Sequence, residues 1–177
     1  INYMKTLINK FLSYFRNIKL YESHKFTQNL NDKKFNLYLV KNLSQIKKNK
    51  NIKKYFNIFN NKKKRFLKKQ YLFILLHKKN FVSSGWMTNS NKWLVTEVNL
   101  EIKTSNNSII LFDFYTPVSL RSRGYYTKLL KMILKKYKNK KFLIYSLSSN
   151  LASIKAIKNA GFYFKENLNR FNFYYDK

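Results

Sequence analysis

The stretch Phe112-Asp113-Phe114-Tyr115-Thr116-Pro117-Val118-Ser119-Leu120-Arg121-Ser122-Arg123-Gly124-Tyr125-Tyr126 decides how this chain is read. It opens in an apolar run, Ile109–Tyr115, that reads as a strand. A loop follows, Thr116 to Arg123, and then Tyr125–Tyr137. There Tyr126, Leu129, Leu130, Ile133, Leu134 and Tyr137 make one helical face. A strand that feeds a helix through a basic, glycine-bearing loop is a candidate anion site. The first helical turn offers unpaired N–H groups and the positive end of the helix dipole. Gly124 lets the backbone approach a phosphate, and Arg121 and Arg123 can fork onto its oxygens. The segment Leu120–Tyr126 therefore suits a pyrophosphate. It is not a P-loop, because no Gly-Lys-Ser/Thr follows, and its single glycine excludes a dinucleotide fingerprint. The alternative at this point is an Arg-rich helix start with no ligand.

The elements on either side of this stretch form an α/β pattern. Phe35–Val40 reads as a strand, and Ser44 to about Lys69 is helical in propensity but broken by Asn and Lys runs. Tyr71–His77 and Phe81–Thr88 flank Lys78-Lys79-Asn80 as a hairpin. Trp93–Ile102 alternates, and Asn106-Asn107 marks a turn. Beyond the decisive stretch come a strand, Phe142–Leu147, and a short helix, Ser149–Ala160, stopped by Gly161. Gly161–Lys165 and Arg170–Tyr175 read as two closing strands. The order predicts an α/β fold built on a single mixed β-sheet flanked by helices, antiparallel first and then with a parallel crossover.

The chain has 177 residues, within the range of one domain, and no Cys, so disulfides and thiolate metal sites are excluded. Only His24 and His77 could supply imidazole, and no metal site is expected. The net charge is +30, but Lys 32 and Asn 24 dominate a composition whose favoured residues have A/T-rich codons. Much of the charge is therefore explicable as codon drift. Its expected partners are weak, salt-sensitive contacts with nucleic acid or an anionic membrane. The same bias sharpens the rare residues. All three alanines fall at 152, 156 and 160, one face of the second helix, which marks a close approach there. Asn150 sits at the expected N-cap.

These residues carry a resemblance. Arg121 and Gly124 match the Arg/Gln-x-x-Gly-x-Gly/Ala loop of the GCN5-related N-acetyltransferase (GNAT) family, and Asn150, Ser153, Gly161 and Phe162 match its later Asn-x-x-Ser/Ala helix ending in Gly-Phe. The resemblance covers residues 71–177 well and 34–70 by strand–helix order. It implies the acyl-CoA N-acyltransferase fold and an acetyl-CoA-dependent transfer to an amine acceptor. Acetyl-CoA would be held by the amides of Arg121, Ser122, Arg123, Gly124, Tyr125 and Tyr126. Phe114, Tyr115 and Thr116 would pair with the pantetheine arm, Asn150 and Ser153 would flank it, and Ala152 and Ala156 would leave room for it. Three departures stand out. Tyr126 replaces the second small residue of the loop, Pro117 lies one place before the family's proline, and Ile157 stands where the family often carries a tyrosine proton donor.

The proton acceptor is sought among few groups. Asp113, Glu97 and Glu101 are the carboxylates near the expected cleft strands, and Asp113 and Glu97 are the candidates for catalysis. Strand alternation places Asp113 opposite Phe112 and Phe114, and its alternative role is to balance a nearby Lys or Arg. His77, on an apolar strand, reads as a packed histidine. The chain is divided at residue 33. Residues 1–33 form a basic extension with an amphipathic helix (Met4, Leu7, Ile8, Phe11, Leu12, Phe15), and 34–177 form the acetyltransferase-like domain. The helix could pack on the domain or lie on an anionic membrane. It lacks the cleavage site of a secretory signal, and a cytoplasmic location is expected. The rival to the enzyme is a basic nucleic-acid-binding protein or a catalytically inactive relative.

Overall fold

The computed structural model describes residues 16–23, 33–53, 55, 57, 59, 61–105 and 108–169. Nine strands form along it: β1 (Ile18–Ser23), β2 (Phe35–Val40), β3 (Tyr71–His77), β4 (Asn80–Thr88), β5 (Lys92–Val95), β6 (Leu100–Lys103), β7 (Ser108–Tyr115), β8 (Lys141–Leu147) and β9 (Tyr163–Leu168). The helices are α1 (Leu43–Lys48), α2 (Lys50–Lys53), α3 (Lys62–Leu67), α4 (Tyr125–Lys136) and α5 (Leu151–Asn159). Seven strands make one sheet in the order β2-β3-β4-β7-β8-β1-β9, and β5 and β6 form a separate hairpin. Only the β7–β8 pairing is parallel; the other neighbours in the sheet run antiparallel. The predicted mixed sheet is the observed one.

Each face of the sheet follows from strand alternation. On β3, Phe73 and Leu75 point to one side and pack with Leu129, Leu130, Ile133 and Leu134 of α4 and with Ile154 and Ile157 of α5. Leu72, Ile74 and Leu76 point to the other side, against Ile46, Ile52 and Phe59 of the α1–α3 region. β3 is buried on both faces, which is why it reads as a continuous apolar run. Each such aliphatic side chain contributes about 1.5–3 kcal/mol on burial. The β5–β6 hairpin closes the second face further along, where Val95, Val98, Leu100 and Ile102 meet Ile18, Leu20 and Leu143. The alternating stretch Trp93–Ile102 is thus a hairpin turning at 96–99.

The boundary at residue 33 does not follow the sheet. Ile18–Ser23, assigned above to the extension, is β1, lying between β8 and β9. Its alternation is complete: Ile18 and Leu20 enter the cluster under the β5–β6 hairpin, and Tyr21 enters the α4–α5 side. The helical pattern just before it masked this short period of two. Glu22, with its side chain 6% exposed, forms an ion pair with Lys141 of β8. The amphipathic stretch up to Phe15, the Asn106-Asn107 turn and the second closing strand, Arg170–Tyr175, lie outside the described residues.

Candidate active site

The parallel pair β7–β8 is joined only from Ser108↔Lys141 to Leu111↔Ile144. Past that point the strands part. The cause lies on the other edge of β7. Phe112 pairs with Trp86 and Tyr115 with Ser84, so Asp113 and Phe114 together oppose the single residue Gly85. This is a β-bulge, which bends the strand that carries it and strengthens its twist. Asp113 takes φ +50° to make it. The bulge overrides simple alternation. Asp113 lies on the same face as Phe112, not opposite it: Arg65 reaches Asp113 Oδ2 at 2.6 Å while its guanidinium sits 5.5 Å from the Phe112 ring centroid and 4.7 Å from that of Trp86. Phe114 turns to the other face, where it packs against Tyr126 at 4.9 Å between centroids.

A cavity of about 800 Å³ occupies the parted region. Phe112–Thr116 line it from β7, Tyr145–Leu147 from β8, Leu120–Ser122 and Gly124–Thr127 from the loop and α4, and Asn150, Ala152, Ser153, Lys155, Ala156 and Asn159 from α5. Glu97 lines it from the β5–β6 turn. Every predicted site residue except Arg123 thus borders one space; Arg123 is exposed in the same loop.

The loop is built to leave amides free. Leu120 and Arg121 N–H close a short 3₁₀ turn onto Pro117 and Val118 carbonyls. The next backbone bond is Lys128 N–H to Gly124 C=O at 2.9 Å, so among the described residues the amides of 122–127 make no backbone hydrogen bond. Ser122 at φ +61° and Gly124 at φ +74° turn the chain into this open conformation. A Cβ on Gly124 would meet nothing within 4 Å, so the glycine serves the positive φ and the open approach rather than any internal crowding.

The second helix is fixed by its cap, since Ser153 N–H donates to Asn150 Oδ1 at 3.1 Å. Its alanines divide their roles. Ala160 is buried in the core, whereas Ala152 and Ala156 border the cavity. Thr127 Oγ1 donates to the Ala156 carbonyl at 3.5 Å. Tyr126, the departure from the family loop, hydrogen-bonds the Ser153 side chain and bridges the two helices; burial pushes its phenol far above the ordinary value of 10.0. Ser83 anchors the end of β7, donating to the Tyr115 carbonyl at 3.2 Å and accepting from the Thr116 hydroxyl at 3.0 Å.

Of the two carboxylates expected to act, Asp113 is engaged by Arg65, the balancing role weighed for it above. Glu97 is half-buried and accepts from Thr96 Oγ1 at 3.2 Å. Ile157, at the usual tyrosine position, is fully buried in the core, and His77 stacks on Phe35 at 4.6 Å away from the cavity. Sequence reasoning missed Tyr145, a cavity residue whose only sequence signal was a polar-tipped aromatic in an apolar strand. Its hydroxyl lies within hydrogen-bonding reach of Glu97, and burial first, then Glu97, drive its phenol far up. No group of three or more His, Cys, Asp or Glu that could hold a metal occurs among the described residues.

No family model matches the chain, and no curated protein does. Solved structures match it over most of its length. A GNAT-family acetyltransferase from Colwellia psychrerythraea is 17% identical at a TM-score of 0.54, over 86% of this chain and 53% of that one. A protein assigned to the same family from Novosphingobium aromaticivorans is 8% identical at 0.56, over 86% and 61%. A conserved protein of unknown function from Staphylococcus epidermidis is 8% identical at 0.55, over 86% and 59%. The chain spans between about half and three fifths of the length of these proteins. At these identities the likeness is one of fold: this chain folds as the GNAT acetyltransferases do.

Proposed function

We propose that the chain is an N-acetyltransferase that moves the acetyl group of acetyl-CoA to an amine. The observation that carries this reading is the gap between β7 and β8, opened by the bulge opposite Gly85 and ending on the free amides of 122–127. The fit to acetyl-CoA is chemical. Six amides at a helix start, with Arg121 beside them, match the charge and the acceptor oxygens of a pyrophosphate. An extended arm with amide groups matches the unpaired edge of Phe112–Tyr115 left by the parting of β8. Ala152 and Ala156 keep the opposite wall low. When bound, acetyl-CoA supplies the activated acyl group. The residues of this chain bind it, orient it, and exclude water from part of its length.

The acceptor enters from the other side of the gap, where Phe112, Tyr145 and Glu97 line the wall. Glu97 is the proton acceptor of this reading, because Asp113 is held by Arg65. A cytoplasmic location belongs to the same proposal; no described helix is long and apolar enough to cross a membrane.

The net charge of +30 favours a second reading, a protein held to nucleic acid by its charge. Calorimetry with acetyl-CoA and with a short RNA, at low and at physiological salt, separates the two. Binding of acetyl-CoA that persists at physiological salt supports the enzyme. RNA binding that collapses with salt, with no acetyl-CoA binding, overturns it.

A further inference from the structure

Tyr145 stands one residue beyond Ile144, the last β8 residue paired with β7, so its side chain sits at the apex of the gap. It shares a face with Leu143 and packs beside Trp93, on the side of the sheet away from α4 and α5. Its hydroxyl lies within hydrogen-bonding reach of the Glu97 carboxylate, and both residues line the cavity. A carboxylate can only accept, so Tyr145 O–H is the donor toward Glu97. The lone pairs of Oη remain for an incoming donor. Glu97 and Asp113 are the charged groups that act on this hydroxyl, and Asp113 is already engaged by Arg65.

We propose that Tyr145 engages the acceptor amine and passes its proton to Glu97. This rests on the acetyltransferase reading above. The amine lone pair forms the C–N bond to the thioester carbonyl carbon, and the C–S bond breaks with its electron pair left on sulfur. One nitrogen proton moves to Tyr145 Oη as the tyrosine's own proton moves to Glu97. The products are the amide, the thiolate and a neutral Glu97, with Tyr145 unchanged. The strong preference of this phenol for its neutral form suits a group that relays a proton without keeping a charge.

The test uses the full chain labelled with ¹³Cζ-tyrosine, the Tyr145 signal being located by Tyr145→Phe. n-Butylamine is added to protein saturated with CoA. The expected result is a shift of the Tyr145 signal on amine addition. Glu97→Gln moves the resting signal and suppresses the response; Glu101→Gln, which changes a carboxylate outside the cavity, does neither. Acetylation of n-butylamine falls at least about 100-fold in Tyr145→Phe, while its affinity for acetyl-CoA stays within twofold of wild type. A Tyr145 signal indifferent to the amine or to Glu97→Gln overturns the proposal, as does full turnover by Tyr145→Phe. Failure of the wild-type chain to bind acetyl-CoA overturns instead the acetyltransferase reading itself.

Discussion

The ring of Phe114 fills the space that a side chain at position 85 would need. A Cβ built on Gly85 would lie 2.9 Å from Phe114 Cζ and nearer still to Cδ1 and Cε1. The two residues face each other across the bulge, where Asp113 and Phe114 oppose Gly85 alone. The extra β7 residue, the ring that packs on Tyr126 and the missing side chain on β4 are therefore one device. It parts β7 from β8.

Gly85→Ala should drive the Phe114 ring toward Tyr126 and the cavity. Overpacking of this kind costs about 1–3 kcal/mol. The expected result is a lower denaturation midpoint together with weaker acetyl-CoA binding. Adding Phe114→Leu should restore much of both, and a double-mutant cycle reads the coupling. Strictly additive effects would mean that the two side chains do not compete for this space.

Gly124→Asp separates the loop's conformation from its ligand. A Cβ at this position meets no atom of the protein within 4 Å, and the positive φ costs a non-glycine residue about 1 kcal/mol. The fold should therefore persist, by circular dichroism and thermal melting, while acetyl-CoA binding is lost to charge repulsion at the free amides. Undiminished affinity in the folded variant would remove the pyrophosphate from this loop.

The two cavity carboxylates are told apart by a pair of variants. Asp113→Asn takes the charge from a group that already pairs with Arg65, and its exposed position limits the loss to under about 1 kcal/mol of stability. Glu97→Gln removes the proton acceptor. Turnover of an amine acceptor should drop by about 100-fold or more in the second and by only a few-fold in the first. The reverse order would return Asp113 to the role of base.

Much of this arrangement was legible in the sequence, for identifiable reasons. The strands Phe35–Val40 and Tyr71–His77 have the expected bounds because their apolar runs end in charged or turn-forming residues. The alanine face and the Asn150 cap stood out against a composition poor in alanine. What escaped depends on pairing between distant strands. The bulge at Asp113–Phe114 exists only opposite Gly85, so alternation within β7 put Asp113 on the wrong face. Tyr145 becomes a cavity residue only because β8 loses its partner after Ile144. β1 is a strand because two neighbours hold it, and its six residues carry little signal alone.

Alkaline pH should weaken the fold through the buried phenols. Burial raises the Tyr126 and Tyr145 pKa values well above the unfolded 10.0, so the folded state binds these protons more tightly. The associated stability is complete below about pH 10 and is lost as pH rises above it. Urea midpoints measured from pH 8 to 11 should fall at the top of the range. Tyr126→Phe should flatten that fall. It should also lower stability by about 1 kcal/mol at neutral pH, by removing the bond to Ser153. A pH response unchanged in Tyr126→Phe would assign the alkaline loss to other groups.

Truncation tests where the folded unit begins. β1 pairs with β8 from Ile18↔Leu147 to Ser23↔Phe142 and with β9 on its other edge. Ile18, Leu20 and Tyr21 are each no more than 2% exposed. At about 1.5–3 kcal/mol for each buried apolar side chain, the strand contributes a large part of the 5–15 kcal/mol that holds a typical domain. Deleting residues 1–23 should therefore leave a chain that does not fold, and β8 and β9 without the strand between them. Deleting residues 1–15 spares β1, and that chain should fold and bind acetyl-CoA within twofold of the full one. Co-sedimentation of both folded chains with anionic vesicles then isolates the amphipathic stretch from Met4 to Phe15, because the truncated chain keeps 35 of the 37 basic residues if bulk charge alone binds lipid. Vesicle binding lost in the truncated chain would place the apolar face of this stretch on the membrane. Acetyl-CoA binding lost in it would make the stretch part of the site.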